Sequence, residues 1–110
     1  MDKFDALADA NRRKIIEILA KHGELPASDI YEHFDVSPQA VSQHLKVLRQ
    51  AKLVRVEKRA QQRIYQINSA AMLELEEWAR QLRQLWDQRF DALDKLLQRE
   101  LNKENKNEQE

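Results

Sequence analysis

A chain of 110 residues is long enough for one domain with a modest core and too short for two independent ones. Its lack of cysteine excludes disulfides, thiolate metal sites and a cysteine nucleophile, and charges interrupt every long apolar run, so we expect a soluble cytoplasmic protein that does not enter a membrane. Its 19 Lys and Arg balance its 19 Asp and Glu, while one glycine and two prolines favour a mainly helical fold.

The first part of the chain has the pattern of three short helices, over residues 4–8, 9–20 and 27–34. Asp9 is a suitable N-cap for the second helix, and the single glycine, Gly23, stands where a helix end needs a left-handed residue. Leu25 must be extended because it precedes Pro26, a position that disfavours the helical conformation. Asp35 then takes a tight turn, so a fourth helix follows closely.

Residues 37–48 form the most informative stretch of the sequence. Ser37 is a good N-cap and Pro38 suits the first helical position, so the helix begins sharply and is predicted to extend to about residue 50. Apolar residues spaced i, i+4, i+7 make one stripe, namely Val41, Leu45 and Leu48. The other side carries groups that read base edges or bind phosphate in DNA, namely Gln39, Ser42, Gln43 and Lys46. Two helices joined by a short turn have the spacing of a helix-turn-helix.

After this helix the pattern changes to that of a β-hairpin. Residues 53–58 and 63–67 alternate and are rich in β-branched side chains, and a basic, amide-rich tip at residues 59–62 joins them. Between residues 42 and 67 there are seven Lys or Arg and one acid, a local excess that indicates a polyanionic partner. The sequence therefore predicts a mainly α winged helix-turn-helix with a small β-hairpin, which binds double-stranded DNA.

The C-terminal part, residues 68–101, is predicted to be helical, with apolar residues at three- and four-residue steps. A continuous helix here would be about 50 Å long, so we expect either a break near residues 78–80 or protrusion from the winged body. The first apolar residues, Leu75 and Trp78, could pack inside the chain, whereas those beyond Trp86 call for a twofold mate. The chain is thus one domain over residues 1–101, with a dimerisation helix from about residue 69 and a disordered polar tail over residues 102–110.

Three segments, residues 6–15, 36–48 and 53–67, resemble the ArsR/SmtB family in order and with few length changes. Its members are bacterial and archaeal winged-helix repressors that act as homodimers. The resemblance implies a dimeric repressor that reads an imperfect palindrome through helix 37–50 and the basic wing 57–63. Three residues depart from the family pattern, Ala10 in place of proline, and Asp35 and Ala60 in place of glycines.

The predicted site residues fall into two groups. The DNA contacts are Ser37, Gln39, Ala40, Ser42, Gln43, His44, Lys46, Arg55, Arg59, Gln61 and Arg63. Among them Arg59 and Arg63, followed by Lys46 and Arg55, are predicted to contact phosphates or the adjacent minor groove, and Gln39 with Gln43 to read adenine. The dimer contacts are Phe4, Leu7, Leu82, Leu85, Trp86, Phe90, Leu93 and Leu97.

Metal binding, a cofactor and catalysis are all predicted to be absent. The family's sensor cysteines correspond to Pro26 and Ser28 here, neither of which binds a soft metal. The C-terminal helix has no histidine, and the three histidines lie in three different elements, at His22, His33 and His44. No glycine-rich phosphate loop and no Ser-His-acid spacing support an enzyme.

Two alternatives to a plain DNA-binding repressor remain open. One is a repressor gated by a non-metal ligand, with a pocket between C-terminal helices around Trp78, Leu82 and Trp86. The other is a protein-interaction module that uses the winged fold and the Leu-rich helix without DNA. Salt-dependent binding to random duplex DNA separates the second alternative from the others, because only a module without DNA affinity would lack it. The sequence does not identify an effector.

Overall fold

The computed structural model describes residues 2–109, with side chains through residue 105. In chain order the described elements are α1 (Lys3–Leu7), α2 (Ala10–His22), β1 (Glu24–Pro26), α3 (Ala27–Glu32), α4 (Pro38–Gln50), β2 (Val54–Arg59), β3 (Gln62–Ile67) and α5 (Ser69–Gln109). The mainly helical winged fold that the sequence predicted is confirmed. The chain divides into two compact units, Met1–Leu73 and Glu74–Glu110.

Polar side chains fix the starts of α2 and α4, as the sequence predicted. The Asp9 carboxylate accepts hydrogen bonds from the backbone N–H groups of Asn11 at 2.8 Å and Arg12 at 3.1 Å. The N–H of Arg12, and then that of Asn11, hold the pKa of this carboxyl below its usual value. At α4 the Ser37 hydroxyl accepts from the N–H of Ala40 at 3.2 Å, with proline at the first helical position.

Two arginines near the start of α2 bind the last carbonyl groups of α1. The Arg12 Nε donates to the Ala6 carbonyl at 2.5 Å, and the Arg13 Nη1 donates to the Leu7 carbonyl at 2.7 Å. These carbonyls lie at a helix end and have no partner within their own helix, so the guanidinium groups satisfy them and fix the junction between the two helices.

The sheet has three antiparallel strands in the order β1-β3-β2. The sequence predicted the two strands of the hairpin, while residues 24–26 were predicted only to contain an extended pair. In the structure they are an edge strand in which Glu24 pairs with Gln66 and Pro26 pairs with Ile64. Proline is tolerated at this position because an edge strand does not need every N–H group for the ladder. Gly23, with φ of +85°, ends α2 immediately before the strand.

The core of the unit Met1–Leu73 lies between the helices and the sheet. Its largest fully buried side chains are Ile15, Leu19, Ile30, Val41, Leu45, Leu48 and Leu53. They include the whole apolar stripe that the sequence predicted for α4. Because this stripe holds α4 in the core, the opposite side of the helix is left facing solvent.

The end of α4 is closed by hydrogen bonds that require a left-handed residue. The N–H of Leu53 donates to the Leu48 carbonyl and that of Lys52 to the Arg49 carbonyl, each at 3.0 Å. In this two-bond pattern the residue after the C-cap takes a positive φ, and Lys52 has φ of +63°. Leu48 and Leu53 are completely buried, in keeping with the apolar contact that accompanies the pattern.

Lys52→Gly should raise the free energy of unfolding by about 1 kcal/mol, because glycine adopts a positive φ without the steric cost that a side chain adds. Urea unfolding followed by circular dichroism at one fixed protein concentration measures the effect. The matched control is Glu17→Gly in the exposed middle of α2, which should lower the same quantity by about 1 kcal/mol. Destabilisation of equal size by both variants would contradict a strained backbone at residue 52.

The last helix, α5, runs without interruption through residues 69–109, so the chain has no break near residues 78–80. With 41 residues at 1.5 Å each, the helix is about 60 Å long. The predicted disorder of residues 102–110 also differs from the structure, in which helix continues to residue 109. Glu110 and the side chains beyond residue 105 lie outside the described residues.

The helical tail combines favourable and unfavourable residues. Five of residues 101–109 are Lys, Glu or Gln, which favour helix even where they bury no apolar surface, whereas three are Asn, which favour it less. An ion pair of 3.8 Å between Lys103 Nζ and Glu100 Oε1, three residues apart, adds to this preference. Along the described chain, no helix combines the length and the apolar character needed to cross a membrane.

Candidate nucleic-acid interface

A groove of about 810 Å³ lies between the exposed side of α4 and strand β3. It is lined by Tyr31, Pro38, Gln39, Ser42, Gln43, Lys46, Arg49, Gln50, Arg63 and Tyr65. The positions from α4 follow three- and four-residue steps, so they form one stripe opposite the buried one. The groove therefore brings together five predicted DNA contacts, Gln39, Ser42, Gln43, Lys46 and Arg63.

Five groove residues were not predicted as DNA contacts, among them Pro38, which the sequence identified only as the first residue of α4. Arg49 and Gln50 continue the stripe three and four residues after Lys46, so helical periodicity alone would have found them. Tyr31 comes from α3 and Tyr65 from β3. Nothing local to these two tyrosines marks them, because their place depends on how α3 and the sheet pack around α4.

The groove is positively charged and contains no carboxylate among its lining residues. Its three cations are Lys46, Arg49 and Arg63, and none of them makes an ion pair within the described part of the chain. An arginine without a partner presents a planar fork of N–H donors that fits the oxygens of a phosphate. The three charges are therefore available to an anionic ligand.

Strand alternation divides the wing cations between two faces of the sheet. Arg63 and Tyr65, two residues apart on β3, both line the groove, and Lys58 is the partner of Arg63 in the register. Successive side chains of a strand point to opposite faces. Residues that pair across antiparallel strands have their side chains on the same face. Arg55 and Arg59 on β2 pair with even-numbered residues of β3, which alternate with Arg63, so their side chains lie on the face away from the groove.

On that face Arg59 is held by two carboxylates. Its Nη1 donates to Glu24 Oε1 at 2.5 Å, and its Nη2 donates to Glu24 Oε2 at 3.0 Å and to Glu57 Oε2 at 3.1 Å. The hydrogen bond from Arg59 lowers the pKa of the Glu24 carboxyl, and the two glutamates raise the pKa of the guanidinium. The sequence predicted Arg59 as a phosphate contact, whereas the structure engages its charge within the protein.

His44 also lies apart from the groove. Its Nε2 is 4.0 Å from an Asp9 carboxylate oxygen, its Nδ1 is 3.5 Å from Arg12 Nη1, and the side chain is only 20% exposed. The imidazole therefore faces the start of α2 instead of solvent. Three further predicted contacts, Ser37, Ala40 and Gln61, do not line the groove either. Ser37 caps α4, Ala40 is partly buried, and Gln61 is exposed at the hairpin tip.

The helix α5 carries a continuous exposed apolar face. Leu82, Leu85, Trp86, Phe90, Leu93 and Leu97 are each between 48% and 61% exposed. Trp86 and Phe90 meet edge to face with ring centroids 5.1 Å apart, and a shallow groove of about 520 Å³ runs beside Leu82 and Ala92. The two predicted dimer contacts in α1 are Phe4, which is 47% exposed, and Leu7, which is partly buried.

A metal site would need acidic or histidine side chains grouped as ligands. Over the residues that the structure describes, no three of them are grouped so as to hold a metal ion. The sequence predicted that the three histidines lie in three different elements. The ring centroids of His22 and His33 are nevertheless 5.7 Å apart, because the ends of α2 and α3 meet.

Comparison with known proteins assigns the family. The protein-family model described as a helix-turn-helix domain matches residues 7–57. The transcriptional repressor SdpR of Bacillus subtilis is 36% identical over 75 residues, which cover 68% of this chain and 82% of SdpR. The solved structure of an ArsR-like transcriptional regulator from Rhodococcus sp. RHA1 superposes with a TM-score of 0.72, at 27% identity over 84% of this chain and 87% of that one. This chain belongs to the ArsR/SmtB family.

The family resemblance that residues 6–15, 36–48 and 53–67 carry is thereby confirmed. The arsenical resistance operon repressor of Staphylococcus aureus is 38% identical over 66 residues, covering 60% of this chain and 62% of the repressor. The named roles of these three relatives are all in the regulation of transcription. A helix-turn-helix places its second helix in the major groove of DNA, which makes the groove beside α4 the candidate for the interface with DNA.

Proposed function

We propose that this protein is a dimeric transcriptional repressor that binds an imperfect palindrome in double-stranded DNA. The observation that carries the proposal is the composition of the groove beside α4. Amide and hydroxyl side chains from Gln39, Ser42 and Gln43 share it with three cations that have no ion-pair partner among the described residues, and no acid lines it. A surface that served only solubility would mix charges of both signs along such a stripe.

The groove residues divide by position into two roles. The first turns of α4 carry Gln39, Ser42 and Gln43, and the N-terminal residues of a recognition helix are those that reach base edges in the major groove. Lys46, Arg49 and Arg63 lie nearer the end of α4 and on β3, where the concave surface suits one sugar–phosphate strand. Phosphate contacts then fix the register of the protein, and the amides read sequence.

The apolar face of α5 supports a homodimer. Seven half-exposed apolar side chains from Leu82 to Leu97, the six predicted dimer contacts and Leu96, follow helical spacing and form a continuous stripe on the part of α5 that belongs to the unit Glu74–Glu110. Burying such a stripe against the same stripe of a second copy gives an isologous interface. The shallow groove beside Leu82 lies along this one helix and is open, which suits helix packing better than an enclosed small-molecule pocket.

Two bound recognition helices in a dimer would enter successive major grooves on one side of the duplex. The centres of their half-sites should therefore be about 34–36 Å apart, roughly one helical turn. The twofold symmetry of the dimer requires half-sites related by an approximate dyad. The repressor role follows the named relatives SdpR and the arsenical resistance operon repressor, since a dimer on such a site would obstruct polymerase.

Arg63→Ala should reduce the slope of log affinity against log salt concentration by about one unit on any duplex, because one phosphate contact is lost. Lys46→Ala should do the same. Fluorescence anisotropy with a labelled random duplex at four or more salt concentrations measures the slope. The matched control is Arg55→Ala, which removes the same charge from the opposite face of the sheet and should leave the slope unchanged.

Equal slopes for Arg63→Ala and Arg55→Ala would mean that the groove face does not contact the phosphate backbone. Complete absence of salt-dependent binding by the wild-type protein would favour the interaction module without DNA. Each result would overturn the proposed role of the groove.

A further inference from the structure

The wing contains one arginine whose charge is already compensated. Three of the five N–H donors of the Arg59 guanidinium are engaged by Glu24 and Glu57. Two carboxylates around one guanidinium leave a net charge of one negative unit on this cluster. A phosphate that approached it would meet repulsion, although Arg59 is the last residue of β2 and adjoins the hairpin tip.

The main acceptor, Glu24, is held in place by the sheet. It lies on the edge strand β1 opposite Gln66 of β3, and the Gln66 Nε2 donates to Glu24 Oε2 at 3.1 Å. The ion pair therefore reaches across β3 and joins residues 35 positions apart in the sequence. Both side chains are nearly half exposed, so the pair contributes little to stability, and its main consequence is electrostatic.

We propose that Glu24 is a specificity-determining residue that keeps Arg59 out of the set of phosphate contacts. Phosphate contacts carry no sequence information, and they supply nearly all of the affinity for random DNA. Neutralising one exposed cation at the wing tip lowers that unspecific affinity. The base contacts of α4 then account for a larger share of the binding to the preferred site.

This inference rests on the proposed function and adds to it. It requires that the free Arg59 side chain can reach DNA, which its place next to the hairpin tip supports. Lys58 and Arg63 flank the same tip and make no ion pair in the described chain. Removing the Glu24 charge would leave Arg59 held by the single hydrogen bond to Glu57, which a phosphate can replace, so Arg59 would join an existing group of cations.

The test is the salt dependence of random-duplex binding by Glu24→Gln, an isosteric change at an exposed side chain. The slope of log affinity against log salt concentration should be steeper than that of the wild type by about one unit. The gain in affinity of Glu24→Gln over the wild type should therefore shrink about fourfold between 50 and 200 mM salt. Arg59→Gln alone should keep the wild-type slope. The double variant Glu24→Gln/Arg59→Gln should return to the wild-type slope, because the released cation is gone.

Loss of any negative charge could strengthen DNA binding in general, so a matched control is needed. Glu17→Gln removes one exposed carboxylate from α2, away from the wing, and should leave the slope unchanged. Thermal unfolding of each variant checks that the fold is retained. An unchanged slope in Glu24→Gln, or a steeper slope that persists in the double variant, overturns the inference.

Failure of the inference and failure of the proposed function are distinguishable. A smaller slope in Arg63→Ala together with an unchanged slope in Glu24→Gln overturns the role of Glu24 and leaves the DNA-binding groove in place. Wild-type protein that lacks salt-dependent binding overturns both.

Discussion

Replacing Trp86 with glutamate should dissociate the proposed dimer into monomers, with a loss of at least about a hundredfold in dimer affinity. Trp86 lies in the middle of the exposed stripe of α5 and packs edge to face on Phe90. In a twofold interface each copy would bury one carboxylate without a partner, at a cost of roughly 3–5 kcal/mol for each charge. Sedimentation velocity at micromolar concentration measures the change. Operator affinity should fall with it, because the two half-sites would no longer be held by one particle.

The control for this variant is Gln84→Glu, which adds the same charge on the opposite side of α5. At 3.6 residues per turn, position 84 lies about 160° from position 86 around the helix axis. The Gln84→Glu protein should sediment as the wild type does. A wild type that is monomeric at micromolar concentration, or a Trp86→Glu protein that remains a dimer, would contradict the dimer through α5.

Gln43→Ala and Gln39→Ala should each weaken binding to the preferred site by about 1–3 kcal/mol and binding to random duplex far less. Glutamine pairs in two hydrogen bonds with the N6 and N7 edge of adenine, so each substitution removes a base contact and leaves the phosphate contacts in place. The measured quantity is the ratio of the two dissociation constants at one salt concentration. Gln61→Ala, an amide at the hairpin tip outside the groove, should leave this ratio unchanged.

If both glutamine variants weakened preferred and random DNA to the same extent, α4 would position the protein without reading sequence. The groove would then act only as an electrostatic surface. The salt-slope results for Lys46 and Arg63 would be unaffected by that outcome, because those residues contact phosphate in either case.

The parts of the fold that could be predicted from sequence are those with local causes. The start of α4 depends on a serine cap and a proline next to it, and its buried stripe depends on a spacing of 3.6 residues. The end of α2 depends on one glycine with a positive φ. Each of these features is decided within one or two helical turns, so the sequence carries it directly.

The edge strand β1 could not be predicted in the same way. It has three residues and ends in proline, which is too short for alternation to be recognised and unfavourable for an interior strand. Its strand character comes from pairing with β3, about 40 positions later in the chain. The same pairing brings Glu24 to Arg59. Counting charges along the sequence cannot detect such a long-range contact, so it predicted a free cation at the wing tip.

The sequence also contains the information that divides the wing cations between the two faces of the sheet. Val54 and Val56 alternate with Arg55 and Glu57 along β2, so the arginine had to lie on the face opposite the apolar side chains. Local positive charge alone groups Arg55 and Arg59 with Arg63, because it takes no account of this alternation. Arg49 lies one helical step beyond Lys46, the last residue of α4 that was predicted to contact DNA, and the same periodicity predicts it.

Selection of bound duplexes from a random library by the full-length protein tests the central proposal most directly. The proposal predicts enrichment of an imperfect palindrome whose half-sites depend on A·T pairs and have centres about 34–36 Å apart, and predicts that Gln39→Ala/Gln43→Ala protein loses this preference. Recovery of no common sequence, or of half-sites made only of G·C pairs, would contradict sequence reading by α4.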